Sequence, residues 1–163
     1  MGLMDLVTEA DYLRFGDFEK SVDDFALELT DVEQGVFDML NELRERRGLQ
    51  PLRLRSDLTE FSREWLAVCP KTAQGHLTNA SHSDFGDHGH LFVDDRNGNG
   101  ENLLFSIFRN LDSQELAELA HDGWVGSPIH FDNMTDPSFD EVGIAACQEN
   151  NIWYFMQFFM SNR

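Results

Sequence analysis

The sequence predicts a single α/β domain, a three-layer α-β-α sandwich ending in a C-terminal antiparallel hairpin. Amphipathic helical segments come first in the chain, and two strand-like runs separated by a short polar stretch come last. The second of those runs, Ile152 to Met160, is apolar on both faces, as a strand covered from both sides must be.

The size and composition support a packed core. A chain of 163 residues is one ordinary domain, expected to bury roughly two thirds of the surface it exposes when unfolded. Hydrophobic residues make up 41%, with 14 Phe and 3 Trp, which argues against a disordered chain. Twelve Lys and Arg against 30 Asp and Glu leave a net charge of −18. Such a surface repels nucleic acid and anionic membranes, so neither is expected as a partner. The first residues lack the basic and apolar regions of a signal peptide, and no later stretch approaches a membrane span. Two cysteines, Cys69 and Cys147, fit no zinc or redox spacing, and the sequence leaves open whether they are bridged or free.

Residues 1–32 read as an acidic extension, with Leu13, Phe15, Phe18, Val22, Phe25 and Leu29 spaced loosely like one or two short helices. The domain itself is expected over 33–163. Thr30 and Glu33 have capping-box spacing, and Val36, Phe37, Leu40 and Leu43 then mark one helical face, ended by Gly48 and Pro51. Leu52-Arg53-Leu54 reads as a short strand. Asp57 with Glu60 opens a second helix that buries Leu58, Phe61, Trp65 and Leu66 and ends at Pro70. From Lys71 to Gly100 the pattern dissolves among Gly, Asn, Asp, Ser and four histidines, so a long connection is expected. Asn102 to Asn110 is apolar and reads as helical. Asp112 and Glu115 cap a further helix with Leu116, Leu119, Ala120 and Trp124 on its face, ending at Ser127-Pro128. Glu141 to Cys147 and Ile152 to Met160 form the hairpin, turning through residues 148–151.

Four segments, in order, resemble the CAP superfamily, the SCP and PR-1-like domains. Asn41 and Arg44, followed by Gly48-Leu49-Gln50-Pro51-Leu52, are similar to its opening Asn-x-x-Arg and Gly-Leu-x-x-Leu pattern. Gly100-Glu101-Asn102 is similar to its Gly-Glu-Asn box. Trp124-Val125-Gly126-Ser127-Pro128-Ile129-His130-Phe131-Asp132-Asn133 resembles the bacterial Trp-x-x-Ser-Pro-x-His-x-x-Asn form, and Glu141-Val142-Gly143-Ile144 its Glu-Val-Gly-Val strand. The resemblance covers roughly residues 33 to 160 and implies the sandwich fold. It also implies a cleft where two histidines and one or two acids meet, which in some members binds a divalent metal, often zinc. His130 matches the second histidine and Glu101 the first acid. The first histidine falls in the variable stretch before the Gly-Glu-Asn box, where His90 is the leading candidate, followed by His82 and His88. Ser127 stands where many members carry a second acid.

Two imidazoles and a carboxylate suit zinc at about 2.0–2.2 Å and leave a fourth position for water. If Glu101 stands off the ion it would serve as a general base, making Glu101 and His130 the catalytic candidates. The plainer alternative is a hydrogen-bonded pair tying helix to loop. Asp95 to Gly100 begins like a calcium loop, but its twelfth position is Ser106, without the bidentate carboxylate, so calcium is the weaker expectation and a turn leading to Glu101 the simpler one. His121 beside Asp122 on a helix reads as a structural or surface residue. The Ser127 and His130 spacing invites a Ser-His nucleophile, but Pro128 intervenes and no nucleophile-elbow glycines surround the serine. Neither cysteine has an adjacent basic residue to activate it.

The expected function is a binding module with a His/Glu cleft for a divalent cation and a lipid, peptide or glycan, with the balance against an enzyme. The alternatives are a metal-dependent, peptidase-like hydrolase and an interaction protein using residues 1–32 to dock on an assembly such as a virion or envelope. The resemblance implies an extracellular setting; with no leader in the sequence, an intracellular or virion-associated one is the alternative.

Overall fold

The computed structural model describes residues 27–83, 99–107 and 110–161, with residues 82 and 83 described as backbone only. In chain order the elements are α1 (Asp31–Arg46), β1 (Arg53–Leu54), α2 (Ser56–Val68), α3 (Ala80–Ser83), β2 (Asn99–Ser106), α4 (Ser113–Val125), α5 (Pro128–Met134), β3 (Glu141–Glu149) and β4 (Ile152–Met160). The sheet order is β1-β3-β4-β2, with β1 parallel to β3 and the other pairs antiparallel.

The three layers follow from strand alternation. On β4, Tyr154, Met156 and Phe158 face α2 and pack with Leu58, Phe61, Trp65 and Leu66. Phe155 and Phe159 face the other way, toward Val36 and Leu40 of α1 and Ala120 and Trp124 of α4. Successive strand residues point to opposite faces, so a strand covered on both sides must be apolar throughout. Gly143 on β3 lets α2 lie close to the sheet: a Cβ there would stand 2.4 Å from the Leu58 carbonyl carbon.

The helix starts are mostly those the caps predict. In α1 the Thr30 N–H donates to Glu33 Oε1 at 2.9 Å and the Glu33 N–H to Thr30 Oγ1 at 3.2 Å. Asp112 and Glu115 exchange the same pair of bonds at α4. The expected cap of α2 is a correction. The helix begins at Ser56 after Arg55, with no side-chain cap. Asp57 lies inside the first turn, where it accepts from Arg55 Nε at 2.8 Å and from the Leu58 N–H at 2.9 Å.

The second correction concerns Asn102 to Asn110. The stretch expected as helix is instead mostly β2, paired residue for residue with β4 from Asn99↔Met160 to Ser106↔Trp153. A short apolar run buried on both faces carries no periodicity to separate helix from strand; Leu103 packs on the α2 side and Leu104 on the α4 side. Two short helices also went unpredicted: α5, entered through Pro128 at its first position, and α3 within the long connection. The connection has further order where described, with Lys71 bridged to Leu77. The hairpin turn is tighter than expected, at Asn150-Asn151, with Asn150 at φ 56, a conformation asparagine tolerates. The helices expected before Ala26 and the start of the calcium-like loop at 95–98 lie outside the described residues. No helix among the described residues is long and apolar enough to cross a membrane.

Candidate functional site

Three side chains from the motif segments fix α4 and α5 against β2, the edge strand of the sheet. Trp124 Nε1 donates to the Leu103 carbonyl at 3.2 Å and Asn133 Nδ2 to the Glu101 carbonyl at 3.1 Å. These carbonyls are two residues apart and so lie on the same side of β2, so the helices satisfy an edge that would otherwise be open to another strand. Asn133 Nδ2 also reaches Asn102 Oδ1 at 3.0 Å. Asn102 Nδ2 in turn donates to the His130 carbonyl and to Gln157 Oε1, each at 3.0 Å. Asn102 and Gln157 are fully buried cross-strand partners. This amide network fixes the backbone of His130 from below.

The half-buried His130 side chain then lines a groove of about 380 Å³ beside the edge of β2. Leu103, Leu104 and Phe105 form the strand wall and Leu77, Thr78 and Asn79 the opposite one. That opposite wall is itself held: Tyr154 Oη donates to the Gly75 carbonyl at 2.5 Å, His76 stacks on Phe105 with ring centres 4.8 Å apart, and Trp65 Nε1 donates to the Ser81 carbonyl at 3.3 Å. Ser81 Oγ ties α3 back to Pro70 and accepts from the Thr78 N–H. His130 Nδ1 lies 2.8 Å from Ser127 Oγ, and Ser127, although it precedes α5 as its N-cap, makes no side-chain cap to the helix.

Glu101 projects from the same face of β2 as its partner Phe158, toward α2, with Oε2 buried. It is not among the groove-lining residues. His82 belongs to α3, directly after Thr78 and Asn79, and its side chain lies outside the description, as do His88 and His90 entirely. Among the described residues no group of three or more His, Cys, Asp or Glu is placed to hold a metal ion. The described donors therefore do not by themselves fit a zinc centre.

The other motif residues are structural. Asn41 exchanges two bonds with Leu52, at 2.8 and 3.0 Å. Arg44, 1% exposed, donates to the carbonyls of Gln50, Met134, Asp136 and Phe139 at 2.8–3.3 Å. Burial lowers the pKa of its guanidinium, with Asp136 opposing. Glu141, nearly buried, pairs with Arg53 and Arg55. His121 is buried against α1 and its pKa is lowered by burial and by Arg46, with Asp122 and Glu42 opposing.

Cys69 and Cys147 are free thiols. Burial pushes both up, Cys147 to about 11, and outweighs the nearby Lys71, so neither is a ready nucleophile. The groove wall at Leu77 to Asn79 and the Asn102–Gln157 pair were not foreseen. The single amide within the otherwise apolar run Ile152–Met160, Gln157, was the available signal for the pair.

The mixed four-stranded sheet between helical layers, with α5 clamped to its edge strand, defines a CAP-type sandwich. The family model for the Cysteine-rich secretory protein family, CAP, matches residues 37–162, and the chain belongs to that family. Solved structures agree on the fold. A cysteine-rich secretory protein from Staphylococcus aureus matches with a TM-score of 0.57 at 21% identity over 80% of this chain and 38% of its own. An outer surface protein from Borrelia burgdorferi matches with a TM-score of 0.57 at 18% identity over 84% of this chain and 97% of its own. NaASP2, in a crystal structure with Zn2+, matches with a TM-score of 0.58 at 14% identity over 83% of this chain and 84% of its own. The chain thus spans well under half of the staphylococcal protein. No curated protein matches the sequence significantly.

Proposed function

We propose that this chain is a ligand-binding module whose site is the groove along the outer side of β2, with His130 as its polar contact. The observation that carries this is the clamp: Trp124 ties the end of α4 to β2, and Asn102 and Asn133 tie α5 to it, so that the His130 side chain lines the groove. Apolar walls with a few convergent polar groups are the usual form of a small-ligand site. Leu103, Leu104 and Phe105 suit an acyl chain, a sterol or an apolar peptide side chain, while Thr78, Asn79 and His130 offer hydrogen bonds. The test is thermal-shift screening of the purified chain against fatty acids, sterols and short peptides, repeated with His130→Ala. A hit whose stabilisation is lost in the variant supports the site; a hit indifferent to His130→Ala places binding elsewhere.

A divalent cation at the same place is the second reading, favoured by the Zn2+ in the NaASP2 structure. His130 would supply one imidazole, and Glu101 and His90, or His82 or His88 in its place, the rest. Titration calorimetry with zinc chloride on the intact chain decides it. Tight binding lost in His130→Ala supports the reading, and no heat in the wild type ends it. A hydrolase would need this ion first.

The S. aureus and Borrelia relatives are, by name, a secretory and an outer-surface protein, which supports an extracellular setting for this chain.

A further inference from the structure

Cys69 and Cys147 take no part in the groove, yet the fold carries them to one place. α2 and β3 start side by side, with Leu58 against Gly143 and the Ile144 N–H donating to Thr59 Oγ1 at 3.0 Å. At about 1.5 Å per helical residue Cys69 lies about 16 Å beyond Leu58, and at about 3.3 Å per strand residue Cys147 lies about 13 Å beyond Gly143. Contacts at the far end show that the two elements run in the same direction and finish together. The Lys71 ammonium sits 4.8 Å over the ring of Tyr154, the direct cross-strand partner of Cys147, and donates to the Leu66 carbonyl at 2.5 Å. The Cys69 thiol points at that same carbonyl, 3.9 Å from it. Cys147 projects from the α2 face of β3 and packs on the cluster that holds Cys69 and Tyr154. Ala67 and Lys71, on either side of Cys69, share one cavity of about 380 Å³ with Glu149, two residues from Cys147 and on the same face of β3. Cys69 is also near enough to contribute to the upward shift of the Cys147 thiol.

We propose that Cys69 and Cys147 are a latent intramolecular disulfide, a covalent tie between the ends of α2 and β3 that forms when the chain meets a small disulfide oxidant such as oxidised glutathione. Cys147, the more exposed of the two, gives up its proton, and its thiolate attacks one sulfur of the oxidant, breaking the S–S bond there and releasing one thiol. The Cys69 thiolate then attacks Cys147 Sγ, breaks the mixed disulfide and releases the second thiol. Two protein thiols are oxidised, one small disulfide is reduced to two thiols, and the two protons leave on them. Burial keeps both cysteines protonated, so exchange is slow in the folded chain and faster before α2 and β3 close over them. The bond suits an oxidising compartment. It would also anchor the residue before Pro70, whose carbonyl holds Ser81 Oγ beside the groove wall.

The experiment refolds the full chain from urea in a buffer of oxidised and reduced glutathione and holds a folded sample in the same buffer, reading both by alkylation, intact mass and peptide mapping. The expected result is the loss of two hydrogens, no thiol left to alkylate, and a cross-linked peptide pair joining Cys69 to Cys147. The bridged chain should melt about 5–15 °C above the chain reduced with dithiothreitol. A bridge in the refolded sample alone supports the proposal equally, the difference being access to the thiols. Two alkylatable thiols in both samples, glutathione left on either cysteine after refolding, or a bond found only between chains overturns it. So does a bridged chain that melts no higher than the reduced one, because the sulfurs would then be placed for strain rather than for a bond.

Discussion

Arg44 is the side chain whose removal should cost the fold most for a single polar group. Its guanidinium, 1% exposed, joins the nearby turn at Gln50 after α1 to a stretch distant in sequence, from the end of α5 at Met134 and Asp136 to Phe139 before β3. Arg44→Ala leaves four carbonyls in a dry site, and each buried group stranded in this way costs about 1–3 kcal/mol. Those costs do not add, because neighbours share relaxation and water enters the space left behind. Removing a cation that burial already disfavours returns part of the loss. The net expectation is about 3–5 kcal/mol, against roughly 5–15 kcal/mol for a whole domain, with a melting temperature lower by about 10–20 °C. Arg44→Lys keeps the charge, but an ammonium donates from one point and cannot span the four acceptors, so it should lose about 2 kcal/mol. The assay is urea and thermal unfolding followed by circular dichroism. An Arg44→Ala variant within about 1 kcal/mol of the parent would show that the carbonyls find other partners and would refute the argument.

Glu33 gives a pH signature. Burial would raise its carboxyl, but Arg63, at 2.5 and 3.0 Å, and the N–H groups of Thr30 and Ala146 outweigh this and hold it below the usual 4.5. A depressed carboxylate contributes stability that is fully present above its unfolded value and lost as pH falls through the folded one. Urea midpoints measured downward from pH 5 should therefore fall less steeply in Glu33→Gln than in the parent, and parallel curves would refute this. His121 acts one step higher: its folded pKa lies below 6.5, so its contribution is complete above 6.5 and declines as pH drops below that, and His121→Gln should flatten stability there in the same measurement. Asn133→Ala removes the bond to the Glu101 carbonyl and the one to Asn102; a loss of about 1–3 kcal/mol, with amide shifts centred on α5 and β2 in a 1H–15N spectrum, is expected, and shifts spread evenly over α2 would contradict the clamp. Gly143→Ala places a methyl 2.4–2.6 Å from Leu58 atoms and should destabilise by about 1–3 kcal/mol, whereas Gly48→Ala, with open space around it but φ +74, should show only the backbone penalty of about 1 kcal/mol in the same unfolding assay.

The layers, the capping boxes and the hairpin were legible because each depends on contacts within a few residues or on a simple alternation. Thr30 needs only Glu33, and β4 declares its two-sided burial in its own composition. The run after Glu101 was misread because burial on both faces erases the period that separates strand from helix. α5 was missed because it is short and begins at the Pro128 that seemed to end the previous helix, although proline is well suited to a first helical position. The groove was legible on one side only. His130 stands in a motif, but its opposing wall at Leu77 to Asn79 is brought there by Gly75 meeting Tyr154, 79 residues away, and by His76 meeting Phe105. No local pattern encodes such contacts.

The motif segments divide by role once their partners are known. Asn41, Arg44, Asn102, Trp124 and Asn133 all direct side-chain N–H groups at backbone carbonyls, and Glu141 closes an ion pair at β1. A polar residue used in this way is demanding, because substitution strands a buried acceptor as well as losing a donor. Such residues identify the scaffold and can persist whatever the scaffold binds. His130 differs in that its backbone serves the clamp while its ring lines the groove, with Ser127 Oγ 2.8 Å from its Nδ1. Chemistry should therefore vary at positions 127 and 130 and along the groove wall, with the clamp unchanged. A chain with the clamp intact and Ser127→Glu, which removes no side-chain cap, should keep its fold and its unfolding midpoint while its ligand preference at the groove changes. Loss of the fold in that variant would mean that the serine belongs to the scaffold after all.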